Sequence, residues 1–193
     1  MKNLVLAIAF AAGISTVEAN SATGIYLTAA DYEKGRLSSE SDCGTLGHKV
    51  ELHDILHKPF IDVTHGGETH RYLKSEIYGF RTCDGREYRF VDNREYEILE
   101  AKAVSIYSID VPARESQDLA RDRATVRKYF FSVGSSGPVL TLTRENLKRA
   151  FLENHRFHDA IDQTFTSDTD LAQYDAFHKM FKVNRLLIAS IDR

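Results

Sequence analysis

The sequence lacks an apolar run long enough to cross a membrane as a helix. Its longest apolar segment, from Leu4 to Ile14, is followed at once by the polar Ser15 and Thr16, whereas a spanning helix needs roughly 20 apolar residues. The chain also lacks an excess of charge of one sign, because basic and acidic residues are mixed and leave a formal net charge of −3. These absences argue against integral membrane association and against a nucleic-acid partner.

Catalytic signatures are lacking as well. The chain contains no glycine-rich phosphate loop, no Gly-x-Ser-x-Gly elbow, no His-Glu-x-x-His, no Cys-x-x-Cys and no calcium-loop pattern. No segment indicates a cofactor. The sequence therefore gives no reaction centre from which an enzymatic activity could be derived.

The amino terminus has the order of a secretory signal. Met1 and Lys2 form a short positive end, the apolar run follows, and Val17 and Ala19 place small residues where a signal peptidase acts. We predict a signal peptide over residues 1–19, cleavage after Ala19, and one mature domain over residues 20–193. The mature protein is then secreted or periplasmic.

The two cysteines, Cys43 and Cys83, both fall in the predicted mature part. An even count in an oxidising compartment predicts a disulfide between them. Two free thiols, or a reactive Cys43 followed by Gly44, are the alternatives, although no local pattern around Cys43 matches a known nucleophile.

The spacing of apolar residues divides the chain into two parts. Residues 24–142 have mainly the alternation of β-strands, and residues 143–193 have mainly helical spacing. Near the start, Thr28 as N-cap, Asp31 reaching back and Gly35 as a stop predict a short capped helix.

Two tight turns predict hairpins. Gly66-Gly67, taken as a two-residue loop, sets Asp62 opposite Arg71 and extends to a pair between Ile61 and Tyr72. Asp84-Gly85, treated in the same way, sets Phe80 opposite Arg89 and Arg81 opposite Tyr88.

Further short strands are predicted from alternating apolar residues. They cover His48 to His53, Arg94 to Leu99, Ala103 to Ile109, Tyr129 to Val133 and Val139 to Thr141. The polar stretch from Pro112 to Lys128 is predicted to be an exposed loop or a solvated helical excursion, with a partner-docking arm as its functional alternative.

Past Thr143 the apolar residues recur at helical spacing. They form three stripes, of which the last follows a capping box of Ser167 and Asp170: Leu147, Ala150 and Phe151; Phe157, Ile161 and Phe165; Leu171, Tyr174, Phe177 and Phe181. The fold class predicted is α+β, with an antiparallel, barrel-like β-meander and a C-terminal helical segment packed on it.

Histidines and carboxylates supply the candidate metal ligands. His155, His158, Asp159 and Asp162 share one face of a predicted helix, and imidazole with carboxylate can bind a divalent metal such as zinc. The apolar face opposite them accounts for the same pattern as a solvated polar face, which is the interpretation we adopt.

Two other groups of histidines have a spacing that is less typical of a metal site. The first hairpin register puts His65, Glu68 and His70 on one sheet face, as ligands or as ordinary exposed polar residues. The remaining group, His48, His53 and His57, follows no metal pattern.

Three segments carry a resemblance to known proteins: residues 74–81, Asn154 to Asp159, and Phe177 to Asn184. Here the chain resembles a group of uncharacterised bacterial exported proteins of similar length, over most of the mature part. The resemblance implies export and carries no catalytic residue.

The function predicted from the sequence is a non-catalytic binding or scaffolding protein of the bacterial cell envelope or exterior, with a protein or envelope partner. The alternative is a metal-binding protein or metal-assisted hydrolase that uses the clustered histidines. Metal analysis of the purified mature protein distinguishes the two.

Overall fold

The computed structural model describes residues 22–44, 49–52, 58–113 and 125–191. The predicted signal peptide and its cleavage point, together with His48, His53 and His57, lie outside the described residues.

Antiparallel strands make up most of the described chain, and helices gather at its C-terminal end. The elements in chain order are β1 (Ala22–Tyr26), α1 (Ala29–Glu33), β2 (Ser38–Asp42), β3 (Lys49–Glu51), β4 (Phe60–His65), β5 (Glu68–Leu73), β6 (Gly79–Arg81), β7 (Glu87–Val91), β8 (Arg94–Ala101), β9 (Ser105–Pro112), β10 (Thr125–Ser132), β11 (Leu140–Thr141), α2 (Arg144–Ala150), α3 (His155–Thr164), a 3-10 helix (Asp168–Ala172), β12 (Tyr174–Asp175), β13 (Met180–Phe181) and α4 (Lys182–Ile191).

The described strands form three sheets. The largest has the order β11-β10-β9-β8-β7-β6-β1-β2, a second contains β3-β4-β5, and β12 pairs with β13. The predicted α+β class, with antiparallel pairing and helices mainly at the C-terminal end, is confirmed. The order of the large sheet has two ends in the described part of the chain, so the barrel-like closure stays a prediction.

The first hairpin has the predicted register, with Asp62 paired to Arg71 and Ile61 to Tyr72. Gly66 and Gly67 both have positive φ, at 59° and 86°, which a two-residue turn of this kind requires. Asp62 and Arg71 form a bidentate ion pair with N···O distances of 2.8 and 3.0 Å.

The second hairpin differs from its prediction by one residue: Phe80 pairs with Tyr88, and Arg89 pairs with Gly79. The Thr82 amide donates to the Arg86 carbonyl at 2.9 Å, so the loop contains three residues and ends at Gly85, whose φ is 81°. A three-residue loop with glycine in the left-handed position is the next commonest hairpin after the two-residue one. Since side chains alternate along a strand, the shift moves Tyr88 to the face of Phe80.

The disulfide is confirmed. Cys43 and Cys83 are bonded with their Cα atoms 5.5 Å apart, joining the residue after β2 to the loop between β6 and β7. The bond spans 40 residues and stabilises the fold by about 4 kcal/mol on the chain-entropy model.

Two hydrophobic clusters cover the ends of the large sheet. The helix-side core joins β9 and β10 to the C-terminal helices through Ile106, Phe131, Leu147, Phe157 and Leu187, among others. The hairpin-side core joins β1, β6 and β7 to the three-stranded sheet through Ile25, Phe80, Phe90, Ile61 and Val63. Burial of Phe157, Ile161 and Phe165, as the second stripe predicts, is confirmed.

The third predicted stripe is wrong as a helix. Its start at Ser167 is correct, because the Asp170 carboxylate accepts a hydrogen bond from the Ser167 amide at 2.9 Å. A 3-10 turn and a hairpin follow in place of a long helix, and Phe177 is 90% exposed at the hairpin tip. The last helix, α4, begins only at Lys182 and buries Val183 and Leu187.

The polar stretch from Pro112 to Lys128 is only partly described. Strand β10 already begins at Thr125, so the prediction of a loop as far as Lys128 is wrong at that end. Residues 114–124 lie outside the described part of the chain. In the part that is described, no helix is both long and apolar enough to span a membrane.

Candidate binding cleft

A row of four side chains crosses the middle of the large sheet. Tyr88 pairs with Glu97, Glu97 with Ser108, and Ser108 with Tyr129, on the neighbouring strands β7, β8, β9 and β10. Directly paired residues of antiparallel strands point to the same side of the sheet. The row therefore lies on one face, which we call the cleft face.

Both hydrophobic cores lie on this face. Phe80 pairs with Tyr88 and belongs to the hairpin-side core. Ile106 and Phe131 are two residues from Ser108 and Tyr129 along their strands and belong to the helix-side core, and residues two apart share a face. The polar row thus occupies the gap between the two cores.

A cleft of about 880 Å³ opens over this gap, a size suited to a small ligand. Tyr88, Glu97 and Ser108 line it together with Arg94 and Arg127. The turn before Arg94, Asp92-Asn93, has both φ values positive, at 51° and 62°. Asp and Asn tolerate this conformation better than most residues, and the turn holds the start of β8 at the cleft.

An aromatic pair forms one side of the cleft. The rings of Phe80 and Tyr88 stack with their centroids 4.8 Å apart and an interplanar angle of 6°. Phe80 is buried and Tyr88 is half-buried. Burial raises the pKa of Tyr88, and the nearby Glu97 carboxylate adds to the rise, so the phenol stays protonated at neutral pH.

Glu97 is the carboxylate in the centre of the row. Its one hydrogen bond within the described residues comes from the Ser108 hydroxyl, with a long O···O distance of 3.4 Å. Glu97 forms no ion pair in the described chain. A half-buried carboxylate with so little compensation favours a ligand that brings positive charge or strong donors.

One arginine of the cleft lining, Arg127, already forms an ion pair with Asp110. Arg127 donates to both oxygens of Asp110 at 2.9 and 3.0 Å. This pairing lowers the pKa of Asp110 and raises that of Arg127. Arg127 therefore makes its hydrogen bonds to Asp110 and acts on Glu97 only through longer-range attraction.

The predicted metal ligands on α3 have other partners. The His158 Nε2 lies 2.9 Å from the Phe151 carbonyl and 3.1 Å from that of Lys148. Since both neighbours are acceptors, Nε2 carries the proton, and His158 caps the end of α2. Lys148 Nζ contacts both oxygens of Asp162 at 2.6 Å and lowers its pKa.

His155 and Asp159 complete the α3 set, and both are exposed. The His155 and His158 rings meet edge to face with centroids 5.9 Å apart. The residues thus share the predicted polar face, but two of the four are tied to α2 by contacts that need no metal.

The hairpin-tip set is exposed. His70 Nε2 lies 3.6 Å from a Glu68 oxygen, and His65 is paired to Glu68 across the strands. Among the residues that the structure describes, no group of three or more His, Cys, Asp or Glu side chains could hold a metal ion.

The cleft residues were not identified from the sequence. Glu97 and Ser108 are ordinary polar positions of alternating strands when each strand is taken alone. Their juxtaposition follows from the register of three successive strand pairs.

Comparison with known proteins gives no match to a family model, a curated protein or a solved structure.

Proposed function

We propose that this chain is an exported, non-catalytic binding protein of the bacterial cell envelope or exterior, and that its ligand is a small molecule with a protonated amine bound in the cleft. The observation that carries the proposal is Glu97, a half-buried carboxylate without an ion-pair partner in the described residues, placed in register beside Tyr88.

The chemistry of the cleft fits an ammonium group. A carboxylate supplies the charge-assisted hydrogen bond, and the ring of the half-buried Tyr88, which stacks on Phe80 with one face, attracts a cation through its quadrupole. Arg94 on the cleft lining is exposed and suits an acidic or polar group elsewhere on the ligand.

Export is supported by the order of residues at the amino terminus and by the disulfide, which an oxidising compartment maintains. The test is the intact mass of the product secreted by expressing cells. Export removes residues 1–19, and a mature chain that still begins at Met1 contradicts the proposal.

Binding is tested by calorimetric titration of the mature protein with a panel of small amines and matched neutral analogues. We expect at least one amine to bind and Glu97→Gln to weaken its binding about tenfold or more. Glu145→Gln is the control, because Glu145 is highly exposed on α2 and its replacement removes the same charge far from the cleft. Equal effects of the two substitutions, or binding of the neutral analogues alone, contradict the proposal.

The alternative function, a metal-binding protein or metal-assisted hydrolase, gains no supporting contact within the described residues. Metal analysis of the purified mature protein separates the two functions. A stoichiometric bound metal would favour the alternative.

A further inference from the structure

The opposite face of the large sheet carries an arginine, Arg89, that has no acidic partner among the described residues. Arg89 follows Tyr88 in β7 and so points away from the cleft face. It pairs with Gly79 and with Tyr96 on the two neighbouring strands. The side chain is half-buried, and within the described part of the chain no carboxylate forms an ion pair with it.

Neutral acceptors hold part of the guanidinium. One nitrogen, Nη1, lies 3.2 Å from the Tyr107 hydroxyl and 3.4 Å from the Ser132 hydroxyl, and Nη2 donates to the Gly137 carbonyl at 2.9 Å. A guanidinium has five N–H groups. The Nε hydrogen and one Nη2 hydrogen therefore have no acceptor among the described residues.

The hydroxyls beneath Arg89 have their own donors already committed. Ser132 donates to the Gly134 carbonyl at 2.6 Å, so the hydrogen bond of 2.8 Å between Tyr107 and Ser132 is donated by Tyr107. The Tyr107 oxygen is then left as an acceptor facing Arg89. The network fixes the position of the guanidinium and leaves its positive charge uncompensated.

Aromatic rings enclose the same place. The Arg89 guanidinium carbon is 5.3 Å from the Tyr78 ring centroid and 5.9 Å from that of Tyr107. Tyr32, from α1, stacks on Tyr78 with centroids 5.0 Å apart. Cation–π attraction offsets part of the free energy lost by removing the guanidinium charge from water. A bound ion of opposite sign would offset more of it.

The Tyr78 hydroxyl is the second unsatisfied group. Tyr78 is 8% exposed, and its buried hydroxyl makes no hydrogen bond of ordinary geometry among the described residues, although the Tyr107 hydroxyl is close enough to interact with it. Burial raises the pKa of Tyr78, so its proton remains available for donation. A buried polar group without a partner is rare in native proteins and calls for an explanation.

We propose that Arg89 and Tyr78 form a binding site for a small carboxylate between α1 and the turn at residues 133–137. The carboxylate accepts from the two free guanidinium hydrogens in the bidentate manner typical of arginine and from the Tyr78 hydroxyl. The site lies on the opposite sheet face from the cleft and does not depend on the function proposed for the cleft.

Because the Tyr78 hydroxyl is buried, a carboxylate enters only when a neighbouring side chain or the turn moves. Tyr32 is half-buried on the α1 side, and Val133, Gly134 and Ser136 are exposed on the turn side. Glu33 of α1 accepts a hydrogen bond from the Ser135 hydroxyl on the turn. It therefore lies at the edge of the site and is engaged there.

The test uses calorimetric titration of the mature protein with acetate, benzoate and inorganic phosphate at constant ionic strength. We expect the carboxylates to bind, and Arg89→Gln to weaken them about tenfold or more. Arg149→Gln is the control, because Arg149 is exposed on α2, where it pairs with Glu145, and lines neither site; it should leave carboxylate affinity unchanged.

Tyr78→Phe gives an independent readout. Because the buried hydroxyl makes no hydrogen bond of ordinary geometry within the described residues, its removal should raise the melting temperature of the free protein and weaken carboxylate binding by about threefold or more. A purely structural Tyr78 would leave the affinity unchanged.

Several results overturn the proposal: no carboxylate binds, phosphate binds and carboxylates do not, Arg149→Gln acts like Arg89→Gln, or Tyr78→Phe leaves the affinity unaltered. If Arg89→Gln does not fold, Arg89→Lys replaces it. Lysine keeps the charge and loses the bidentate geometry, so unchanged affinity in Arg89→Lys also overturns the proposal.

Discussion

Replacing Asn184 by Ala should be among the most damaging single changes in the helical part of the protein. Asn184 is fully buried at the start of α4. Its Oδ1 accepts from the Val104 amide at 2.8 Å, and its Nδ2 donates to the Val104 carbonyl at 3.0 Å and to Glu100 Oε2 at 2.6 Å. One side chain thus ties α4 to the junction of β8 and β9.

The loss of stability depends on which hydrogen bonds Val104 and Glu100 keep after the substitution. The Val104 carbonyl keeps the Lys102 amide at 3.3 Å, and Glu100 keeps the Phe181 amide and Lys102. The Val104 amide is left without an acceptor, which costs about 1–3 kcal/mol, and Glu100 loses a charge-assisted bond worth about 1.5–3 kcal/mol net. We expect Asn184→Ala to lower the free energy of unfolding by about 2.5–6 kcal/mol.

Urea unfolding of the disulfide-intact protein measures this difference through the midpoint and slope of the transition. Asn146→Ala is the matched control, because the Asn146 side chain makes one exposed hydrogen bond, to the Thr141 carbonyl; its loss should cost about 0.5 kcal/mol or less. If both substitutions cost less than about 1 kcal/mol, the reasoning from unsatisfied buried groups is refuted for this site.

Three further outcomes are expected. Phe157→Ala should cost about 2–5 kcal/mol of unfolding free energy in urea, since Phe157 is fully buried, whereas Phe177→Ala should be near neutral because Phe177 is 90% exposed. His158→Ala should cost about 1 kcal/mol through loss of its contacts to α2, and His155→Ala should cost less; equal large losses that a chelator reproduces in the wild type would instead indicate a metal. The pKa of Asp170 is lowered to about 2 by hydrogen bonds from Thr166 and Ser167, so its stabilisation is present above pH 4 and is lost as the pH falls from about 4 to 2. Asp170→Asn should flatten that part of the acid-unfolding curve, and an unchanged curve would contradict the assignment.

Turn residues determined how well the sheet could be predicted. Gly66-Gly67 admits one natural loop length, and the register it implies is confirmed. Asp84-Gly85 fits a loop of two or of three residues, because glycine takes the left-handed position in both. The choice depends on the pairing of Gly79 with Arg89: a Cβ at Gly79 would lie 1.8 Å from the Tyr88 carbonyl, a contact that depends on the folded sheet.

Local periodicity misled the prediction in the C-terminal part. Leu171 and Phe181 are both buried, as a helical stripe requires, yet Tyr174 and Phe177 between them are exposed in a hairpin. The turn is held by Asp175, whose carboxylate accepts from the amides of Phe177 and His178 at 3.1 Å each. Side-chain hydrogen bonds to the backbone compete with helix formation.

The candidate sites were beyond local sequence analysis for a different reason. Glu97 meets Tyr88 and Ser108 only through two strand pairings, and the second of them contains an irregularity between Ile98 and Glu100. Arg89 lies on the opposite face only because of the three-residue loop. Each site therefore depends on a register that short-range patterns leave open.

Glu97 also gives a test of why the gap between the two cores is polar. Replacing it by Leu would remove a half-buried carboxylate whose one described hydrogen bond is long and would add apolar contact beside Tyr88. If the residue is retained for binding, Glu97→Leu should raise the free energy of unfolding by about 0.5–2 kcal/mol, as at other sites where function costs stability.

The same variant should lose amine binding in the calorimetric titration, so stability and affinity move in opposite directions. Ser108→Ala serves as the control, since it removes the weak partner and leaves the carboxylate in place; it should keep amine binding. If Glu97→Leu destabilises the protein, then Glu97 is needed by the fold itself, and the polar row is a structural feature of the sheet instead of a place kept open for a ligand.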